Sequence, residues 1–598
     1  MCGISGQVKP RNEVIDRTLV QRMTRALAHR GPDDEGFRFE QNCGLGHRRL
    51  SIIDLSTGAQ PLSNEDKTIW LVSNNEIYNY LELRKELISR GHRFSTSGDT
   101  EVILHLYEDL DEKCVEPLVG MFAFAIWDSR RKRLLLARDR FGIKPLYYHE
   151  DNDGGLLFAS ELKALLLHAG LSREMDLPAL HQYFLHLTIP EPSTILEHVH
   201  KLPAAHLLIW EDGKAVLRPY WDLAILDRPA REIAEEDALE DLRYHLQQTV
   251  ALSLRSDVPV GLFLSGGLDS SILTWMASAA QPTPVKTFSV AFTEKQFDEG
   301  EYSRLVARRF GTHHQEILVT KDAATNVALQ LSECLDEPFA DSSCIPTYLL
   351  CKHARESVKT VLTGEGSDEL FAGSPWHRDD QLRSENIDSL LYPPSKIVFT
   401  RDQLDSILTQ DLRSLISKSA YDPASGIRAN LLRCVGGLEQ CLYTDLKVYL
   451  PSDLLTKVDR MSMLASLEAR VPYLNHPFAE FAWTLPPNLK LRNGIRKHLL
   501  RRLSEDMLPM DILNRPKKGF SIPMDLWLWE HGTFRDMVYD TLLDRRTKMR
   551  GQFNPSSVQS MLEDHDKLRQ FHGYRLWTLF VFEMWQRNFA DSWCTKET

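Results

Sequence analysis

The sequence predicts two unlike halves: an α+β sandwich of antiparallel sheets between helices, then an α/β half on a parallel sheet with a helical C-terminal part. Three observations carry this. Over roughly the first 200 residues, short β-rich runs are separated by turns. Val260-Gly261-Leu262-Phe263-Leu264 is an apolar run that ends in a glycine-rich turn and a helix start. Similar short runs then alternate with helical segments until about Asp402, after which the chain reads as mostly helical to its end.

Taken in order, residues 69–72 read as a strand that stops before the pair Asn74-Asn75, and 121–127 as a strand before Asp128-Ser129. Residues 133–137 and 156–159 are further strands. Apolar residues at three- and four-residue spacing predict helices over 19–27 and 80–89. The mixed, proline-containing stretch 203–227 reads as a domain connection, so the expected division is 1–210, a link over 211–235, and 236–598. In the second half, 258–264, 285–292 and 359–363 are the expected buried strands.

With 598 residues the chain exceeds one hydrophobic core. A net charge of −12 argues against a nucleic-acid binder, which needs a basic surface to neutralise phosphates. The longest apolar run, over 118–127, is about half a membrane span. The first residues lack the basic and apolar segments of a secretory leader. Nine scattered cysteines without CxxC spacing suggest neither a disulfide framework nor a zinc site. A reducing cytoplasm is the expected location, and eight of the cysteines, Cys594 included, read as ordinary thiols.

Cys2 is the exception. Once Met1 is removed, one residue carries both a thiol nucleophile and a free α-amine. An α-amine titrates near ~7.7–8.0 and can act as the base that activates the thiol. Around it stand Cys2-Gly3-Ile4-Ser5-Gly6, His29-Arg30-Gly31-Pro32-Asp33, His47-Arg48-Arg49-Leu50-Ser51-Ile52, Asn74-Asn75-Glu76-Ile77-Tyr78-Asn79 and Gly98-Asp99. In this order they resemble the glutaminase domain of class II amidotransferases, which are N-terminal-nucleophile hydrolases. The resemblance implies that Cys2 attacks the glutamine amide and Asn74 donates to the oxyanion. It implies that Arg49 grips the α-carboxylate, Glu76 and Asp99 hold the α-ammonium, and Leu50, Ile52 and Asn75 complete the glutamine pocket. Asn75 stands where the family has glycine. Asparagine still supplies the backbone N–H used there and tolerates left-handed backbone better than most residues, so the effect falls on rate or ligand fit.

In the second half, Leu264-Ser265-Gly266-Gly267-Leu268-Asp269-Ser270 offers a close backbone approach to phosphate and a helix N-terminus. It lacks the Gly-Lys-Ser/Thr ending of a Walker A loop and resembles the pyrophosphate loop of ATP pyrophosphatases. Thr363-Gly364-Glu365-Gly366-Ser367-Asp368-Glu369 repeats the strand-loop-helix design with three acids. Loops at the carboxyl ends of neighbouring strands can face one nucleotide, and Asp269 and Asp368 would share Mg²⁺.

Over nearly the whole chain the sequence resembles asparagine synthetases of the glutamine-hydrolysing type, through Asp336-Glu337-Pro338-Phe339, Lys457-Val458-Asp459-Arg460-Met461-Ser462, Glu468-Ala469-Arg470-Val471-Pro472 and Arg515-Pro516-Lys517-Lys518-Gly519-Phe520. The resemblance implies that Leu264, Val290, Thr363 and Gly364 frame the nucleotide, and that Ser265, Gly266, Gly267, Asp269 and Ser270 hold pyrophosphate. It implies that Lys497 neutralises the charge of the leaving pyrophosphate, with Arg496 adjacent, and that Glu365 takes a proton from attacking ammonia. The implied substrates are glutamine, ATP with Mg²⁺, and aspartate, joined through an acyl-adenylate and an internal ammonia tunnel; family members are often homodimers. Relatives on the same scaffold act on other carboxylates. Ser374, where tyrosine is common, and Asn475, where aspartate is usual, keep a different acceptor open as the alternative.

Overall fold

The computed structural model describes residues 2–225, 233–378, 397–417, 427–434 and 436–591. Met1, Cys594 and part of the expected link (226–232) lie outside the described residues.

Twelve strands build the first half: β1 (Cys2–Val8), β2 (Asp34–Phe39), β3 (Cys43–Arg49), β4 (Leu62–Ser63), β5 (Ile69–Ile77), β6 (Gly120–Asp128), β7 (Arg133–Arg138), β8 (Tyr147–Glu150), β9 (Leu156–Ala159), β10 (His200–Lys201), β11 (His206–Glu211) and β12 (Lys214–Pro219). They form two six-stranded antiparallel sheets, in the orders β10-β8-β9-β1-β3-β2 and β12-β11-β7-β6-β5-β4. Alternation along each strand sends one set of side chains between the sheets, where Ile4, Val8 and Leu45 meet Val72, Ala125 and Trp127. The outer faces are closed by helices. Helix α1 (Arg17–Arg25) lies against the first sheet through Leu19 and Met23, and α2 (Tyr80–Ser89) and α3 (Glu101–Leu110) lie against the second through Leu87 and Ile103. This is the N-terminal-nucleophile sandwich expected from sequence.

Three details differ from the sequence reading. β5 does not stop at Val72 but runs through Asn74, Asn75 and Glu76, because all three are buried and paired with Ala123, Phe122 and Met121 of β6. α1 starts two residues early, where Asp16 accepts from the Leu19 N–H at 3.0 Å, a side-chain N-cap. Residues 206–219, read as link, are β11 and β12 of the second sheet, and Leu207 and Ile209 of β11 are buried in its core. Polar turn residues around Gly213 mimic a linker in sequence.

The second half holds a five-stranded parallel sheet, β15-β14-β13-β16-β17, from β13 (Val260–Phe263), β14 (Lys286–Phe292), β15 (His313–Val319), β16 (Thr360–Leu362) and β17 (Glu468–Arg470). The strand order reverses between β13 and β16, the crevice where open α/β sheets bind ligands. β17 falls in the stretch read as mostly helical; at three residues it has no periodicity to detect, and only its pairing with β16 makes it a strand. The helical run before it passes from Gly437–Thr444 through a π-helical segment, Asp445–Leu455, containing Pro451, into Thr456–Leu464. Among the described residues no helix is long and apolar enough to cross a membrane, and no two of the eight described cysteines are joined in a disulfide.

Candidate active sites

The first site forms where β1, β3 and β5 come together. Cys2 opens β1 directly opposite Arg49 of β3. Its nitrogen donates to Asn74 Oδ1 at 2.9 Å, and its carbonyl accepts from Arg30 Nε at 3.1 Å. Asn74 is fully buried, and its Nδ2 has no hydrogen-bond partner. A buried orphan donor costs about 1–3 kcal/mol, and here it stands beside the nucleophile, where an oxyanion would use it. Arg49 is buried and spends one donor on the Asp54 carbonyl. Leu50 and Ile52 are buried in a cluster that continues into Leu262 of β13 and Leu362 of β16.

Asp99 accepts from the Ile77 N–H at 2.8 Å and from Asn75 Nδ2 at 2.7 Å. Burial is the main reason that its carboxyl is pushed up to about 6. Glu76 is reached across the domain boundary by Arg470, with Nη2 2.8 Å from Oε2. Burial, opposed by Arg470 and reinforced by Glu468 and Asp99, pushes Glu76 well above the usual carboxylate range. Three buried carboxyls (Glu76, Asp99 and Glu468) thus share one guanidinium, and an incoming ammonium would relieve the excess negative charge.

Asn75 sits in extended strand, not in left-handed backbone, so the conformational tolerance of asparagine is not what admits it here. Its side chain instead bridges Asp99 and Thr100 Oγ1. If Asp99 must be ionised to hold glutamine, kcat/KM for glutaminase will fall below an acid limb near pH 6. Asp99→Asn should remove this limb along with most of the activity. Asn75→Gly takes a donor away from the ionised form and should move the limb upward. Initial rates of glutamate release between pH 5 and 8 would check both; an unmoved limb in Asn75→Gly would separate Asn75 from Asp99.

The second site is a cavity of about 590 Å³ over the carboxyl ends of β13 and β16. Of the predicted nucleotide residues, Leu264, Ser265, Gly267, Asp269, Ser270, Val290, Thr363 and Gly364 line it, as do Glu365, Asp368 and Lys497. Gly266 does not line the cavity; it turns the loop at φ 69°, and a Cβ there would lie 2.6 Å from Tyr302 and Ser303. Lys497 Nζ lies 2.5 and 2.6 Å from the Asp269 oxygens and 2.7 Å from Asp368 Oδ1. Lys517 adds a second cation on Asp368. Burial alone would raise Asp368, but the two ammoniums hold it well below the usual carboxylate range. Two carboxylates converging on one cation are the oxygen set that a hard divalent ion takes, so Asp269 and Asp368 fit Mg²⁺. Lys497 itself sits in left-handed backbone, φ 53°, held by its N–H to the Phe371 carbonyl at 3.1 Å. Such strain in a non-glycine residue aims the side chain at the carboxylates. Arg496 also lines the cavity, but its guanidinium donates to the Gly373 carbonyl. Glu365 accepts from Thr363 Oγ1 at the cavity wall.

Sequence reasoning left several residues without a role. Arg470 is fully buried; besides Glu76 it binds Glu468 at 2.6 Å and donates to the carbonyls of Ser253 and Arg255, while its own carbonyl accepts the Thr363 N–H at 2.9 Å. Arg30, also fully buried, joins Asp459 at 2.8 and 3.0 Å and Glu161 at 2.9 Å. Both lie in quoted motifs, but Glu76 is 394 residues from Arg470 and Asp459 is 429 residues from Arg30, so these contacts leave no local signal. Ser374, at the cavity wall, donates its N–H to His377, and Asn475 Oδ1 is buried without a partner.

Residues 241–587 match the family model described as asparagine synthase, and 1–221 match that of a glutamine amidotransferase domain. Asparagine synthetase (glutamine-hydrolyzing) 1 of Bacillus subtilis (strain 168) is 34% identical over 98% of this chain and 96% of its own length. Asparagine synthetase (glutamine-hydrolyzing) 3 of the same organism is 32% identical over 91% and 92%. A putative asparagine synthetase (glutamine-hydrolyzing) of Mycobacterium bovis is 32% identical over 96% and 94%.

Proposed function

The chain belongs to the family of glutamine-hydrolysing asparagine synthetases, and from that premise we propose that it makes asparagine from aspartate, ATP and the amide nitrogen of glutamine. The observation that carries the two-site reading is Arg470: its side chain holds Glu76 in the first site, and its carbonyl holds Thr363, two residues before Glu365, in the second.

With Met1 removed, the Cys2 nitrogen, held by Asn74, is the base that takes the thiol proton as sulfur attacks the glutamine amide carbon. Asn74 Nδ2 donates to the resulting oxyanion. The proton passes to the departing nitrogen, ammonia leaves, and water hydrolyses the thioester to glutamate and free Cys2. Arg49 holds the α-carboxylate, and Asp99 with Glu76 holds the α-ammonium. In the second cavity an aspartate β-carboxylate oxygen attacks the α-phosphorus of ATP, giving β-aspartyl-AMP and pyrophosphate. Asp269 and Asp368 would hold Mg²⁺, which supplies positive charge to the phosphates when bound. Lys497 meets the charge of the leaving pyrophosphate. Ammonia then attacks the adenylate, Glu365 takes its proton, and asparagine and AMP leave. The apolar cluster shared by Leu50, Ile52, Leu262 and Leu362 supports a water-poor passage that keeps ammonia unprotonated. We place the enzyme in the cytoplasm.

Incubation with ATP, Mg²⁺ and aspartate, in parallel with glutamine and with ammonium chloride, tests the proposal. Asparagine, AMP and pyrophosphate should appear in equal amounts from both nitrogen sources; turnover with another carboxylate but not aspartate would overturn the acceptor. Arg470→Lys keeps the charge but loses the fork that serves Glu76, Glu468 and two carbonyls at once. Breaking a buried pair costs about 3–5 kcal/mol. The expected result is a lower melting temperature and a KM for glutamine raised at least about tenfold, with the KM for ammonium little changed. Equal effects on both donors would mean that Arg470 only supports the fold.

A further inference from the structure

On the outer edge of the first half, away from both sites, His149 and Asp151 at the β8–β9 turn face His168, which follows the short helix Leu162–Leu165. His149 Nε2 lies 3.3 Å from Asp151 Oδ1, and His168 Nδ1 lies 3.7 Å from the same oxygen. All three ligand atoms fall within 4.8 Å of one another. From this geometry we propose that the three side chains form a binding site for a divalent transition-metal ion of the zinc class.

Four features support the assignment. First, the spacing is right: with metal–ligand bonds of about 2.0–2.2 Å at the tetrahedral angle, ligand atoms lie roughly 3.3–3.6 Å apart. Second, the tautomer is set. His149 Nδ1 is 2.7 Å from the His198 carbonyl, which can only accept, so Nδ1 carries the proton and the Nε2 of the neutral ring presents its lone pair to the cluster. Ligating histidines are oriented in this way. Third, His168 Nδ1 and Asp151 Oδ2 are buried without hydrogen-bond partners, and the His149 and Asp151 side chains are each only 9% exposed. His149 Nε2, Asp151 Oδ1 and His168 Nδ1 are thus three potential ligand atoms facing one another, and one shared cation would serve all three. Fourth, the charge is workable. Lys9 Nζ stands 3.5 Å from Asp151 Oδ2 and is itself compensated by Asp153, which leaves Oδ1 to the ion. Two imidazoles and one carboxylate leave a fourth tetrahedral position for water and suit zinc better than magnesium or calcium, which prefer oxygen.

The other groupings of this kind among the described residues do not compare. In Glu65, His92 and His105, the histidines already bind Asp109 at 3.0 Å and Glu108 at 2.9 Å, carboxylates outside the trio. Glu174, Glu197 and His198 are all exposed.

A bound ion would clamp the β8–β9 hairpin to the segment after Leu165. β9 runs on to Glu161, which holds Arg30 and Arg460, and Tyr147 of β8 touches Arg460, so the clamp would brace one side of the domain interface.

The full-length enzyme, stripped with chelator, would be titrated with Co²⁺ and then with Zn²⁺, reading visible d–d absorption, bound metal and melting temperature. The expected result is one Co²⁺ per chain with a tetrahedral spectrum, displaced by Zn²⁺, and a higher melting temperature with either ion. In His168→Ala, whose side chain is partly exposed and whose loss should leave the fold intact, affinity should fall at least about 100-fold, since loss of an outer-shell partner alone costs 10–100-fold. His149→Gln should behave alike, and His92→Ala should bind as the parent does. An octahedral spectrum, a parental affinity in His168→Ala, or no binding at all would overturn the site and leave a proton on His149 as the cation facing Asp151.

Discussion

Cys2→Ala is expected to abolish glutamine hydrolysis and glutamine-driven asparagine formation while ammonium-driven formation stays near the parental rate. The asymmetry follows from where Cys2 sits. Its side chain is the only sulfur nucleophile in the first site, and removal of a nucleophile that works with its base as one unit costs on the order of 10⁴–10⁶ in rate. No residue of β1 lines the second cavity. The backbone contacts of Cys2, its nitrogen to Asn74 and its carbonyl from Arg30, do not use the side chain, so the fold of β1 survives the change. Glutamate release and asparagine formation, measured on one preparation with each nitrogen donor, decide the matter. A variant that still hydrolyses glutamine would remove Cys2 from the mechanism; one that loses both reactions would mean that the two sites cannot be separated. Asn74→Ala should give the graded version, a loss of about 10²–10³ in kcat, typical of one oxyanion donor.

Lys497→Met should do the opposite, ending asparagine formation from both donors while leaving glutaminase active. The ammonium of Lys497 is the shared partner of Asp269 and Asp368, and Ser367 lies 3.4 Å from it. Methionine keeps the length and removes the charge. Two half-buried carboxylates then face each other with Lys517 left on Asp368, at a cost below the about 3–5 kcal/mol of losing one partner of a fully buried pair. Protonation of one carboxylate, or tighter metal binding, is the way out. The variant should therefore require more Mg²⁺ for any residual activity and should fall by at least about 10³-fold in aspartate-dependent ATP–pyrophosphate exchange. The exchange reaction reads adenylation alone, before ammonia enters. Parental exchange in Lys497→Met would assign Lys497 to holding the loop, and Arg496, which donates to the Gly373 carbonyl, would become the next cation to test.

Much of this molecule is legible in one dimension, because the features that matter are local. A thiol at position 2, a glycine loop between an apolar run and a helix, and a cluster of three acids in seven residues carry their chemistry within a few residues. Asn74 and Asn75 show where local reading fails. Two asparagines in a row suggest a turn, yet they lie in the middle of β5, because β6 supplies their backbone partners and the site supplies their side-chain partners. β11 and β12 read as linker because the turn at Gly213 and the exposed residues of β12 dominate the local pattern, while Leu207 to Trp210 of β11 gain their burial only once β7 is beside them.

By itself the sequence determined the fold class, the sandwich followed by the parallel sheet, and it named the residues proposed as nucleophile, oxyanion donor, phosphate loop and acids. Tertiary structure alone decided the partners. It put Arg470 on Glu76, Arg30 on Asp459, Lys497 between two aspartates 99 residues apart, and His168 opposite His149. The physical reason is range. Strand and helix preferences, glycine turns and the chemistry of a side chain act over a few bonds or a few residues and are written in the local pattern. The strength of a buried charge depends on what lies within about 4 Å of it in a low-dielectric interior, and the folded chain alone sets those neighbours.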